Sequence, residues 1–125
     1  MLRIETVLIN RRIELMLSQD DPEFPGPPAA GGPDERRPVL DELAAWEAAR
    51  TENLAMLRRL TPEQLDRRGR HPRWGPISVR EHATEWAYHD LDHLRQLLEI
   101  FQGELHGGIG VFQGLYPKPG AAGVA

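Results

Sequence analysis

Six prolines (Pro22, Pro25, Pro27, Pro28, Pro33, Pro38), with Gly26, Gly31 and Gly32, crowd into residues 20–38. Proline removes a backbone donor and fixes φ, so no helix or paired strand survives such density. This stretch is a long loop, and it divides the chain into helical material on either side. The loop is expected to start in order around Phe24 and to loosen beyond it.

Before the loop, residues 2–18 contain neither Gly nor Pro, and Leu2, Ile4, Val7, Leu8, Ile9, Ile13, Leu15, Met16 and Leu17 cover nearly the whole helical circumference. A helix apolar all round needs neighbours on several sides. It also begins at Met1 without a capping residue, so a further N-terminal segment is expected. After the loop, a helix is expected from about Pro38 to Leu60, with Leu40, Leu43, Ala44, Leu54 and Leu57 on one face. Glu47 and Arg50 fall inside that arc. Thr61-Pro62-Glu63-Gln64 has the form of a capping box with proline at the first helical position. Arg70 to Pro76 is expected to be a loop around Trp74, and the basic run Arg67-Arg68-Gly69-Arg70 a solvated one.

Ser78-Val79-Arg80-Glu81 is a second capping box, opening a helix that should run to about Gln102 and stop at Gly103. Its apolar arc is Val79, Ala83, Ala87, Leu94, Leu97, Leu98 and Phe101. Residues 104–125 are rich in Gly and Pro and are expected to form a loose tail. The sum is three main helices and no strand, all-α bundle material. The expected division is a helical body at 1–103 and a tail at 104–125.

Composition narrows the function. A chain of 125 residues makes one domain, and 40% hydrophobic with 27% charged residues is a globular profile. Cysteine is absent, so neither a disulfide nor a thiol nucleophile is available, which suits a reducing cytoplasm. A net charge of −4 gives no reason to expect nucleic acid. No uncharged run is long enough for a signal or a membrane span.

The chemistry concentrates in the last helix. His82, His89 and His93 fall within an arc of roughly 40° at 100° per residue. His89 and His93 are one turn apart, so both imidazoles could grip one divalent ion. His82 lies about 10 Å away along the axis and cannot join them. The pair sits at the border of the apolar arc, where side chains enter the cleft between helices. Surface or hydrogen-bonded histidines remain an equal alternative.

Asp90 lies inside the apolar arc, where a carboxylate needs a cation or donor. Two readings stay open: an ion pair with Arg50 joining two helices, or an Asp90 that orients a ligand histidine while Arg50 anchors an anionic substrate. Trp86, one turn before His89, could line a pocket. Glu5 and Glu47 are further carboxylates able to face the cleft. The zinc-protease pattern fails, because Asp90 stands where its catalytic Glu belongs and Gln96 where its extended form needs Gly. Ser18 and Ser78, the chain's two serines, sit at a helix end and a cap, which disfavours a Ser-His-Asp hydrolase.

The run His89-Asp90-Leu91-Asp92-His93-Leu94-Arg95-Gln96-Leu97 after a Ser-capped helix, with Leu2-Arg3-Ile4-Glu5, Asn10-Arg11-Arg12-Ile13, Trp46, Arg50 and Arg70-His71-Pro72, resembles the DinB-like superfamily over residues 1–103. The resemblance implies a four-helix bundle of up-down-down-up topology holding zinc or nickel with three histidines. Two of these match His89 and His93. The third would come from the helix preceding the loop, a few residues before the acidic position that matches Glu5, and so falls at or before residue 1. The resemblance thus implies that this chain lacks the bundle's first helix and the third ligand. It also implies a small-molecule substrate and hydrolase or thiol-dependent transferase chemistry at an incomplete site. The alternative is a non-catalytic helical module that forms a homodimer through its exposed groove.

Overall fold

The fold, taken from a computed structural model, is described for residues 2–26 and 38–120, with side chains from Ile9 onward. The elements are α1 (Leu2–Ser18), α2 (Val39–Arg58), α3 (Pro62–Leu65), β1 (Arg68–His71), β2 (Gly75–Ser78) and α4 (Val79–His106), followed by a 3₁₀ segment (Gly107–Gly114). The all-α expectation holds for the architecture, with one small hairpin added. Among the described residues no helix is long and apolar enough to cross a membrane. The chain divides into two compact units, Met1–Thr84 and Glu85–Ala125, with the boundary inside α4.

In the first unit α1 buries Ile9, Ile13 and Met16, spaced four and three residues apart along one face. Arg11, Glu14 and Ser18 are exposed, so the described part of α1 buries one stripe instead of its whole circumference. On α2 the predicted apolar face is largely in solvent: Leu40, Leu43 and Leu54 are exposed. Arg50 and Leu57 of the predicted arc are shielded, but with Trp46 and Asn53 beside them, again at helical spacing, in place of the leucines. The period was readable, but the inward phase was turned from the predicted one, because the buried Asn53 is a residue an apolar count rejects.

Thr61 caps α3 as expected, its Oγ1 accepting from Gln64 N while Gln64 Oε1 accepts from Thr61 N at 2.9 Å. The expectation of no strand is corrected at the next residues. β1 and β2 pair antiparallel, Arg68 opposite Ser78 and His71 opposite Gly75. Four-residue strands made of Arg, Gly, His and Pro carry no β-branched signature beyond Ile77, which is why periodicity missed them. The turn itself has clear causes. Gly75 adopts φ +75°, and His71 Nδ1 accepts from the backbone N–H groups of Arg73 (3.1 Å) and Trp74 (3.3 Å).

The start of the proline-rich loop docks on this hairpin. Phe24 N donates to Arg70 O at 2.9 Å and Arg70 N to Pro22 O at 2.8 Å, so the segment lies parallel beside β1. The Arg70 side chain bridges Asp21 and Glu23 from the same strand. The basic run is therefore structural. Arg67 reaches back to the last turn of α1, donating to the carbonyls of Met16 and Gln19. Phe24 is ordered and buried, as expected; residues 27–37 of the loop lie outside the described residues.

α4 opens on Ser78, whose Oγ accepts from Glu81 N at 3.0 Å while Ser78 N donates to Glu81 Oε2 at 2.8 Å. In the second unit the helix continues through Gly103 to His106, past the predicted stop. One glycine costs a helix only about 1 kcal/mol, and the tandem Gly107-Gly108 ends it instead. Where loose chain was expected, side chains tie the turn that follows. His106 Nε2 meets Tyr116 O at 3.0 Å, and Gln113 Nε2 donates to His106 O at 2.9 Å. These contacts satisfy carbonyls that a helix end leaves open.

Candidate metal centre

α4 positions His89 and His93 one turn apart, both half-buried, with ring centroids 4.4 Å apart and planes at 88°. One ring therefore presents its edge to the other's face, and both side chains leave the helix on the same side. The Nε2 atom of His93 is shielded from solvent.

A polar chain runs along the same turns of the helix and reaches His93. Glu99 and Asp92 both bind Arg95, at 2.6 and 2.9 Å. Asp92 Oδ2 accepts from Gln96 Nε2 at 3.1 Å, which leaves Gln96 Oε1 facing His93 Nδ1 at 3.3 Å. An amide oxygen there accepts from Nδ1–H, selecting the tautomer whose Nε2 lone pair is available to a metal. The Asp92 carboxyl is held below its ordinary range, chiefly by the Arg95 hydrogen bond. Orientation of a ligand histidine by Asp90 was one of two readings left open by the sequence. The contacts described here run through Asp92 and Gln96, and their steps were visible in the sequence: Asp92 to Arg95 and His93 to Gln96 are three residues apart, Asp92 to Gln96 and Arg95 to Glu99 four.

Asp90 is half-buried beside the pair, and Trp86, one turn before His89, is buried. Arg50 belongs to the first unit, its guanidinium 5.0 Å from the Trp46 ring centroid. The side chain of Glu5 lies outside the described residues, as does Met1. Among the described residues no group of three or more His, Asp or Glu side chains is arranged to hold a metal ion. Two imidazoles, that of His93 with its tautomer set by Gln96, make half of a site, and among the described residues the fit to a resident metal ends there.

A second histidine cluster, absent from the sequence reading, sits in the first unit. His82 is buried and stacks on Phe24, with centroids 6.3 Å apart. His71 meets the edge of the same ring at 6.5 Å, and the Arg12 guanidinium lies 5.5 Å from its centroid. Burial, with the Arg12 and His71 charges behind it, pushes the His82 pKa down to about 4. This imidazole is neutral at physiological pH. The signal was available: His82 lies four residues after Ser78, in the first turns of a capped helix, where side chains pack onto the preceding strand.

A family model described as the DinB superfamily matches residues 6–97, almost three-quarters of the chain. The chain belongs to the DinB superfamily. No curated protein matches it. Within this DinB-superfamily chain the matched span takes in Arg50, Trp86, His89, Asp90 and His93, and ends one residue beyond Gln96. The all-helical architecture described above agrees with that membership.

Proposed function

We propose that this DinB-superfamily protein is a divalent-metal-dependent enzyme acting on a small molecule, with His89 and His93 as two of the metal's ligands. The observation that carries the reading is the edge-to-face His89–His93 pair at 4.4 Å, with His93 held through Gln96 and Asp92. Membership of a superfamily commonly associated with metals supports it. The third protein ligand is supplied from outside the described residues. Zinc and nickel both suit imidazole donors. Bound there, such an ion supplies Lewis acidity toward a thiol or a carbonyl, the chemistry of a thiol-dependent transferase or a hydrolase. The protein's own residues hold and orient: Gln96 fixes the His93 proton on Nδ1, and buried Trp86 provides an apolar wall one turn before His89.

Metal titration tests this. Zn²⁺ and Ni²⁺ are titrated into the protein and into His89→Ala and His93→Ala, with binding followed by calorimetry. Binding weakened by roughly tenfold or more in both variants is expected, since each removes one of few ligands. Equal binding by the protein and both variants sinks the metal assignment. The second reading is a non-catalytic helical module that forms a homodimer through its exposed groove. It predicts that neither histidine variant alters metal binding or association.

A further inference from the structure

The second unit holds an open-mouthed cavity of about 490 Å³, all of it beyond the DinB-superfamily span of residues 6–97. One wall is the end of α4, where Glu99, Gln102, Leu105 and His106 fall within an arc of roughly 120° at 100° per residue. The rest of the lining is Ile109 of the 3₁₀ segment and residues 116–120. Side chains tie the returning chain to the helix end. His106 Nε2 meets Tyr116 O at 3.0 Å, and Gln113 Nε2 donates to the carbonyls of His106 (2.9 Å) and Gly107 (3.3 Å). Pro117 and Pro119 restrict φ on either side of Lys118, and Gly120 turns at φ +81°. The lining is mostly apolar, and its Leu105 and Tyr116 are 69 and 60% exposed. A cavity of this size and character suits a small molecule that removes that surface from water.

We propose that this cavity binds a small amphipathic carboxylate, whose charge meets Lys118 and whose apolar body lies along Leu105, Ile109 and Tyr116. Charge selects the head group. Glu99, His106 and Lys118 are the lining residues that carry or can take a charge near neutral pH. Glu99 is bridged to Arg95 at 2.6 Å, and the His106 imidazole is engaged by Tyr116 O. Lys118 is the chain's one lysine, and among the described residues it forms no ion pair. A ligand anion therefore meets a cation that no described carboxylate has neutralised, whereas a ligand cation meets a carboxylate that Arg95 already holds. Length selects the body. Glu99 to His106 covers seven residues, about 10 Å of helix axis, which suits an acyl chain such as octanoate. Inorganic anions and acetate lack a body to cover the apolar lining, and a neutral hydrocarbon leaves Lys118 unused.

The single lysine makes the site visible, because ¹³C-labelled lysine gives one side-chain NMR signal and the methyl groups of Leu105 and Ile109 report on the walls. Octanoate, kept below its micelle threshold, is titrated into the protein in chelator, beside acetate, octanol and octylamine. Octanoate is expected to shift the Lys118 signal and the Leu105 and Ile109 methyls together, saturating with one dissociation constant. Octanol should bind roughly threefold more weakly and leave the Lys118 signal in place, octylamine should bind more weakly still, and acetate should not saturate over the same range. Lys118→Gln should weaken octanoate binding roughly three- to fivefold, the worth of an exposed ion pair. Leu105→Ser should weaken it roughly tenfold by removing apolar contact. Leu91→Ser, at an exposed α4 leucine outside the cavity, should leave it unchanged. Equal affinity for octanoate and octylamine overturns the proposal, as does Leu91→Ser weakening binding as much as Leu105→Ser. So does a titration in which octanoate fails to saturate, or moves Lys118 without the methyls. Chelator keeps metal out of every arm, so this result and that of the metal titration are separate.

Discussion

The imidazole of His82 stacks on the ring of Phe24, with 26° between their planes and the Arg12 guanidinium 5.5 Å from the same ring. Phe24 belongs to the start of the proline-rich loop and His82 to the first turns of α4. The contact therefore joins two segments far apart in sequence around a neutral histidine.

Stability should depend on pH through His82. Its pKa in the folded chain is about 4, against an ordinary 6.5. Between these values the unfolded chain binds the proton and the folded one does not. The stabilisation is then complete above about pH 6.5 and is lost as the pH falls toward 4, a change on the order of 2–3 kcal/mol. Urea denaturation at pH 7.5 and 5 should show the difference, and His82→Gln should flatten it. A slope unchanged in that variant assigns the effect elsewhere.

Gly69 lies under the same phenylalanine. A Cβ there would meet Phe24 Cε1 at 2.5 Å and Met16 Cγ at 3.0 Å. Gly69→Ala should cost about 1–3 kcal/mol, as overpacking does. Phe24→Ala should cost about 3–5 kcal/mol as a buried aromatic truncation. It should also move the His82 pKa back up, which proton NMR of the imidazole reads directly. Wild-type stability in Gly69→Ala would mean that the loop does not pack on the hairpin.

The two capping boxes should differ in weight. Ser78 is buried and starts the 28-residue α4, whereas Thr61 is exposed and starts four residues. Ser78→Ala is expected to lower stability by about 1–2 kcal/mol and Thr61→Ala by at most about half of that. Thermal melts of the two variants compare them. The reverse order would contradict the placement of Ser78 at the head of α4.

Gln96 should control which nitrogen of His93 carries the proton. In Gln96→Leu the Nδ1–H acceptor is gone, so ¹⁵N NMR should show a mixture of tautomers in place of one. Metal affinity, if His93 is a ligand, should fall by about 10–100-fold. A tautomer ratio unchanged by the substitution refutes the role given to Gln96.

How far the sequence carries is visible in these residues. The helices were legible because proline excludes them from 20–38 and because Ser78 and Thr61 announce their starts. The His89–His93 pair was legible because helical spacing is fixed geometry. The inward phase of α2 was not, since Asn53 is shielded there while Leu40 and Leu43 are exposed. The hairpin was hidden because its register sets Gly69 opposite Ile77 and His71 opposite Gly75, and the side chains of Gly69, His71 and Gly75 say nothing of strand. The His71–His82–Phe24 cluster needed three segments brought together by that hairpin. The local pattern offered only the place of His82, four residues after the Ser78 cap.

Arg67 reaches the carbonyls of Met16 and Gln19, 51 and 48 residues earlier, from the strand side of the first unit. With the Pro22 and Phe24 backbone bonds to Arg70, it fastens the two flanks of the proline-rich stretch without using the peptide that links them. Continuity of the polypeptide there is then dispensable for cohesion. A protein clipped by trypsin after Arg36 should still elute as one particle, and its pieces should part only under denaturant.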